Sequence, residues 1–145
     1  FIITIDSNYA TLERRKIIRE KLIEWYKERA RQVFKQRVKK YFYLVDKYSP
    51  FNINYEDIRL SIRNNRRTWG SANPRVPSLN FTWHIVMLPL DLIDVIVIHE
   101  LGHFIAPRQK NKIHHKEFYR SCEKIIADFR NKENKVSQYS YLLNF

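Results

Sequence analysis

With 145 residues, the chain is long enough for one domain, and its 27 Lys plus Arg against 15 Asp plus Glu give a formal charge of +12. A content of 44% hydrophobic and 14% aromatic residues excludes a disordered chain, and two Gly and five Pro are too few for a many-turned all-β fold. The single cysteine, Cys122, excludes an internal disulfide and a thiolate zinc cluster.

The cysteine usage points to a reducing compartment, the cytoplasm. No run of about 18 apolar residues is available to span a membrane. The chain starts at Phe1 rather than Met, so a fragment of a longer protein is expected, with residues 1–145 forming a single domain.

In chain order, residues 1–5 form a short β-prone run, followed by the turn formers Asp6, Ser7 and Asn8. A long helix follows from about residue 11 to 47. Ile18, Leu22, Trp25, Tyr26, Ala30, Val33, Phe34, Val38, Tyr41, Phe42 and Val45 recur at steps of three and four and make one apolar stripe. The other face is basic, and the element carries +8 of the net charge. Ser49-Pro50 closes it.

Residues 57–63 alternate polar and apolar as a half-buried strand does, and Asn64-Asn65 reads as a turn. Further strand candidates at 67–72 and 78–83 complete a small antiparallel meander. Pro89 can start a helix without losing a needed N–H, and Asp91 and Asp94 suit its first turns. That helix, about 89–105, is apolar nearly all round and must lie in the interior. A last helix is expected over about 114–130. The fold class is α+β.

Inside the buried helix stands His99-Glu100-Leu101-Gly102-His103. Imidazoles four residues apart lie one turn apart on one face, where both can reach a single ion at about 2.0–2.1 Å. Glu100 points roughly 100° round the helix, away from ligation but well placed to hold water as a general base. Such a pattern arises by chance in roughly one chain in a hundred of this composition, so context decides. Three ionisable residues in an apolar helix cost several kcal/mol unless compensated, and a metal compensates them. The plainer alternative is two core histidines bonded to carbonyls.

Catalytic zinc sites need a third protein ligand. His114 and His115, reached through a loop containing Pro107, are the nearest imidazoles. His84, at a strand end, suits a surface or structural role, and Glu117 or Glu123 could supply a carboxylate instead.

Residues 67–119 resemble the YgjP-like metallopeptidases, a zincin-type family. The resemblance runs through Arg67-Thr68-Trp69-Gly70-Ser71, Leu79-Asn80-Phe81-Thr82-Trp83, Pro89 to Asp94, His99 to His103, and His114-His115-Lys116-Glu117-Phe118-Tyr119. It implies a zincin-like fold, Zn2+ held by His99, His103 and His114, Glu100 as catalytic base, and a peptide or protein substrate. Two features depart from the family: Ala72 stands where Cys is common, and the stretch from His103 to His114 is longer than usual. The longer stretch is closer to the related SprT and Spartan type of DNA-associated protease and keeps His115 open as the ligand.

The strand at Leu79 to Trp83 is the expected peptide-binding edge. His115, Tyr119 and arginines of the 105–120 loop are possible oxyanion partners. A second reading is a nucleic-acid-associated module, since +12 suits phosphate contacts and Trp25, Tyr26, Tyr41 and Tyr43 interleave with Lys and Arg. Those aromatics fall largely on the stripe that buries the helix, which favours core packing. A purely structural zinc would require a closed four-ligand site.

Overall fold

The computed structural model of the chain describes residues 2–4, 11–106, 109 and 112–145. The expected turn at Asp6, Ser7 and Asn8 lies outside these residues, as do Phe1, Ile5, Pro107 and Arg108. Residues 2–4 are not in a strand.

Helix α1, Thr11–Asp46, contains no Gly or Pro and so runs 36 residues, about 53 Å. Its buried stripe is Ala30, Phe34, Val38, Tyr41, Phe42 and Val45. The stripe fades toward the N-terminus, where Ile18 and Trp25 are 43% and 41% exposed. Ser49, three residues beyond the end of α1, donates its hydroxyl to the carbonyl of Phe104 at 2.8 Å, meeting an orphan acceptor at the end of the central helix.

Three strands follow: β1 (Arg59–Arg63), β2 (Gly70–Asn73) and β3 (Ser78–Thr82). Their order is β1-β3-β2, with β3 parallel to β1 and antiparallel to β2. The sheet is therefore mixed, not the expected antiparallel meander. Strict alternation reports which face of a strand is buried but not which strand lies beside it.

The connection 64–69 wraps the end of β3 instead of turning tightly at Asn64-Asn65. Thr82 donates its N–H to Trp69 O at 2.9 Å and its hydroxyl to Asn65 O at 2.9 Å, and the Trp83 indole donates to Asn64 at 3.1 Å. Leu79 and Phe81 of β3 point into the core, where Phe81 stacks on Phe34 with centroids 4.3 Å apart.

Helix α2, Leu90–Ile105, lies in the interior as expected, with Val95, Val97, Ile98 and Leu101 nearly sealed from solvent. Asp94 does more than face the helix dipole. It is buried, receives the Tyr41 hydroxyl at 2.7 Å and Arg37 Nε at 2.5 Å, and so locks α2 to α1 with a compensated charge.

The expected single last helix is two, α3 (Lys116–Glu123) and α4 (Phe129–Ser137). The apolar spacing continues through Phe118, Cys122, Ile126 and Phe129, but Asp128 adopts a left-handed φ of 61° and breaks the chain direction. Among the described residues, no helix is long and apolar enough to cross a membrane.

Candidate metal centre

His99 and His103 project from the same face of α2, with ring centroids 5.3 Å apart. The chain leaves α2, forms a tight pairing between Gln109 and Lys112, and returns at His114 just before α3. Gly102 permits that return. A Cβ there would stand 2.7 Å from Cys122 Sγ and 3.0 Å from Phe118, so only glycine lets α3 approach so closely.

The candidate ligand nitrogens of His99, His103 and His114 all lie within 4.8 Å of one another. His103 Nε2 and His114 Nε2 are 3.4 Å apart, about the separation of two nitrogens that share a tetrahedral ion. His115 is not in this cluster and caps α3 by position. His84 is buried, stacked on Trp83 at 3.8 Å and 2.6 Å from the Thr82 hydroxyl through Nδ1, so its role is structural and not a surface one. Glu117 and Glu123 are exposed and do not line the cleft described below.

Phe118, fully buried, forms the floor of the cluster. Its ring centroid lies 5.1, 5.0 and 4.9 Å from those of His99, His103 and His114. Burial, reinforced by neighbouring imidazoles, lowers the pKa of His103 to about 3 and lowers that of His114. Both rings are therefore neutral at physiological pH, the form that donates a lone pair to a metal.

Glu133 of α4 accepts from His99 Nδ1 at 2.6 Å. This leaves His99 Nε2 as the free lone pair, the usual arrangement in which a carboxylate orients a ligating imidazole. The donor set is chemically suited to a divalent ion, above all one that favours imidazole.

Glu100 is 5% exposed, and burial raises its pKa to about 7 against the opposing pull of His99. Its carboxyl lies against the backbone of β2, where a Cβ on Gly70 would fall 2.7 Å from Oε1. Sequence spacing gives no sign of this contact. Glu133 was equally hidden, although the requirement that a ligating His find a second partner is a reason to look for such a carboxylate.

Cluster and strand together line one open cleft of about 940 Å³, with residues 67–75 as one continuous wall. β3 has both edges paired, so among the described residues the free edge on this cleft belongs to β2 and not to the strand at Leu79 to Trp83. Neither His115 nor Tyr119 lines it; Tyr119 packs under Arg130 at 4.2 Å. Of the aromatics on α1, Tyr26 stacks on Trp83 and Tyr41 binds Asp94, whereas Trp25 and Tyr43 are exposed.

A helix-borne histidine pair, an adjacent buried carboxyl and an edge strand along the same cleft are features of a metallopeptidase. Among solved structures, the chain is similar to the metallopeptidase zymogen abylysin of Pyrococcus abyssi, with a TM-score of 0.58 and 16% identity over 73% of this chain and 93% of that one. It is also similar to the metallopeptidase zymogen jannalysin of Methanocaldococcus jannaschii, with a TM-score of 0.53 and 17% identity over 73% and 95%. At these identities the likeness is one of fold. No curated protein sequence matches the chain. The family model of the YgjP-like metallopeptidase domain matches residues 3–139, and the chain belongs to that family.

Proposed function

We propose that this chain is a zinc-dependent peptidase that hydrolyses peptide bonds, with His99, His103 and His114 holding the ion and Glu100 serving as general base. The observation that carries this reading is the convergence of three imidazole nitrogens within 4.8 Å and a buried carboxyl on one open cleft. Zinc suits three imidazole donors, and when bound it supplies a Lewis acid that polarises a carbonyl and acidifies water.

The chain's own groups do the rest. The free edge of β2 offers backbone N–H and C=O groups to an extended substrate. Glu100 takes the proton of the attacking water and returns it to the departing amine, and a pKa near 7 suits a group that must both accept and donate near neutrality. Glu133 fixes the tautomer of His99, and Phe118 keeps the three rings from turning.

Glu100→Gln is expected to retain stoichiometric zinc and to lose turnover by about a hundredfold to ten-thousandfold. Unchanged cleavage of a casein or peptide substrate by that variant rejects the mechanism. Metal analysis of His114→Ala beside His115→Ala checks the third ligand: loss in the first and retention in the second is expected, and the reverse moves the ligand to His115.

A further inference from the structure

We propose that the cleft selects peptides with acidic side chains, recognised by Arg67 and Arg75 at the two ends of β2. The inference rests on the peptidase reading above and names its substrate class. Both arginines are exposed and both line the cleft, Arg67 just before the strand and Arg75 in the turn after it. Their backbones are tied down at those points. The N–H of Arg67 donates to the Asn65 side chain at 2.8 Å, and that of Arg75 to the Asn73 side chain at 3.0 Å.

Two other arginines of the chain find carboxylates. Arg37 pairs with Asp94, and Arg31 with Glu28 at 2.9 Å. Among the described residues, neither Arg67 nor Arg75 has an ion pair. The two carboxylates of the cleft are already committed, Glu133 to His99 and Glu100 to its buried position behind Gly70. Arg67 and Arg75 thus both line the cleft in which an extended peptide would lie on β2, and among the described residues neither has a carboxylate partner there. Their planar forks suit carboxylates, and they disfavour lysine at the same positions.

The geometry also assigns a spacing. Glu100 touches the strand at Gly70, so the cleaved bond lies at that end, with Arg67 on one side of it and Arg75 on the other. From Gly70 to Asn73 the strand advances about 10 Å, which places Arg75 about three to four substrate residues away in the other direction. The preferred substrate therefore carries one acidic residue on the Arg67 side of the cleaved bond and a second, about three to four residues away, on the opposite side. A chain-terminal carboxylate presents the same chemistry, so the test uses peptides capped at both ends.

Zinc-loaded full chain is assayed with internally quenched peptides, acetylated and amidated, that differ only in Glu or Gln at the two positions. The Glu peptides are expected to have kcat/KM about fivefold to tenfold higher per engaged position. Arg67→Glu and Arg75→Glu should each reverse the preference toward Lys at its own position. Lys16→Glu, the same charge change on the exposed surface of α1, should leave the preference as it was.

A preference untouched by the cleft variants, or shifted equally by Lys16→Glu, overturns the proposal, as does discrimination seen only with uncapped termini. If no peptide is cleaved at all, the peptidase reading fails separately. Fluorescence anisotropy of the same peptides on the Glu100→Gln chain then decides: tighter binding of the Glu peptide that is lost in Arg75→Glu upholds the inference, and equal binding of Glu and Gln peptides refutes it.

Discussion

The three clustered imidazoles stand on two very different supports. His99 and His103 belong to α2, whose residues are almost all buried and whose N-terminal half is locked to α1 through Asp94. His114 is exposed and sits on the stretch between the Gln109 and Lys112 pairing and α3. The first support is rigid by burial. The second is positioned only by what anchors α3, namely Phe118 and Cys122 pressed on Gly102. The division teaches that a site of this kind needs one immobile wall, while the remaining donor can be delivered by a neighbouring element with a good anchor.

Removing that anchor should break the distinction most severely. Phe118→Ala takes away a fully buried ring beneath all three histidines, and a loss of about 3–5 kcal/mol in urea unfolding is expected together with weakened zinc retention. A variant that keeps both its unfolding midpoint and its metal would show that α3 is held some other way.

Gly70→Ala leaves both supports intact but puts a methyl where the Glu100 carboxyl now lies. Cleavage should fall by about a hundredfold with zinc content unchanged, because misplacement by about an ångström has that effect on a reacting group. Glu133→Gln touches only the rigid wall's outer partner, and titration against a competing chelator should show zinc affinity falling by about tenfold to a hundredfold.

The smallest effect concerns His84, which lies apart from the site. Burial, aided by Arg66, lowers its pKa to about 4 from 6.5, so the unfolded chain takes up a proton that the folded chain refuses. Its contribution is full above pH 6.5 and is lost as pH falls toward 4. Between pH 7 and pH 5 this amounts to about 2 kcal/mol, read as a drop in urea midpoint that His84→Gln should flatten.

The same two supports separate what the sequence reveals from what it hides. The His99 to His103 pair is legible because helical periodicity dictates which side chains share a face, and an apolar run around it shows that the helix is interior. His114 emerges from its distance to Phe118 only through family resemblance, since spacing alone leaves His115 equal to it. Glu133 stays hidden because it comes from another helix, beyond a break at Asp128 that the apolar spacing runs straight through. The strand order stays hidden too. Alternation in β1 marks the side that packs on the core, and the parallel pairing follows from the wrap of 64–69 around Thr82, a set of contacts between residues distant in sequence.

The open edge of β2 has one more consequence. A strand with one open edge invites a second copy to add itself there, the first step toward unwanted aggregation. This strand is only four residues long, recessed in a cleft and bracketed by arginines. Two such edges brought face to face would set like charges against each other, so a rim that can welcome an oppositely charged guest also keeps sister molecules from zipping together.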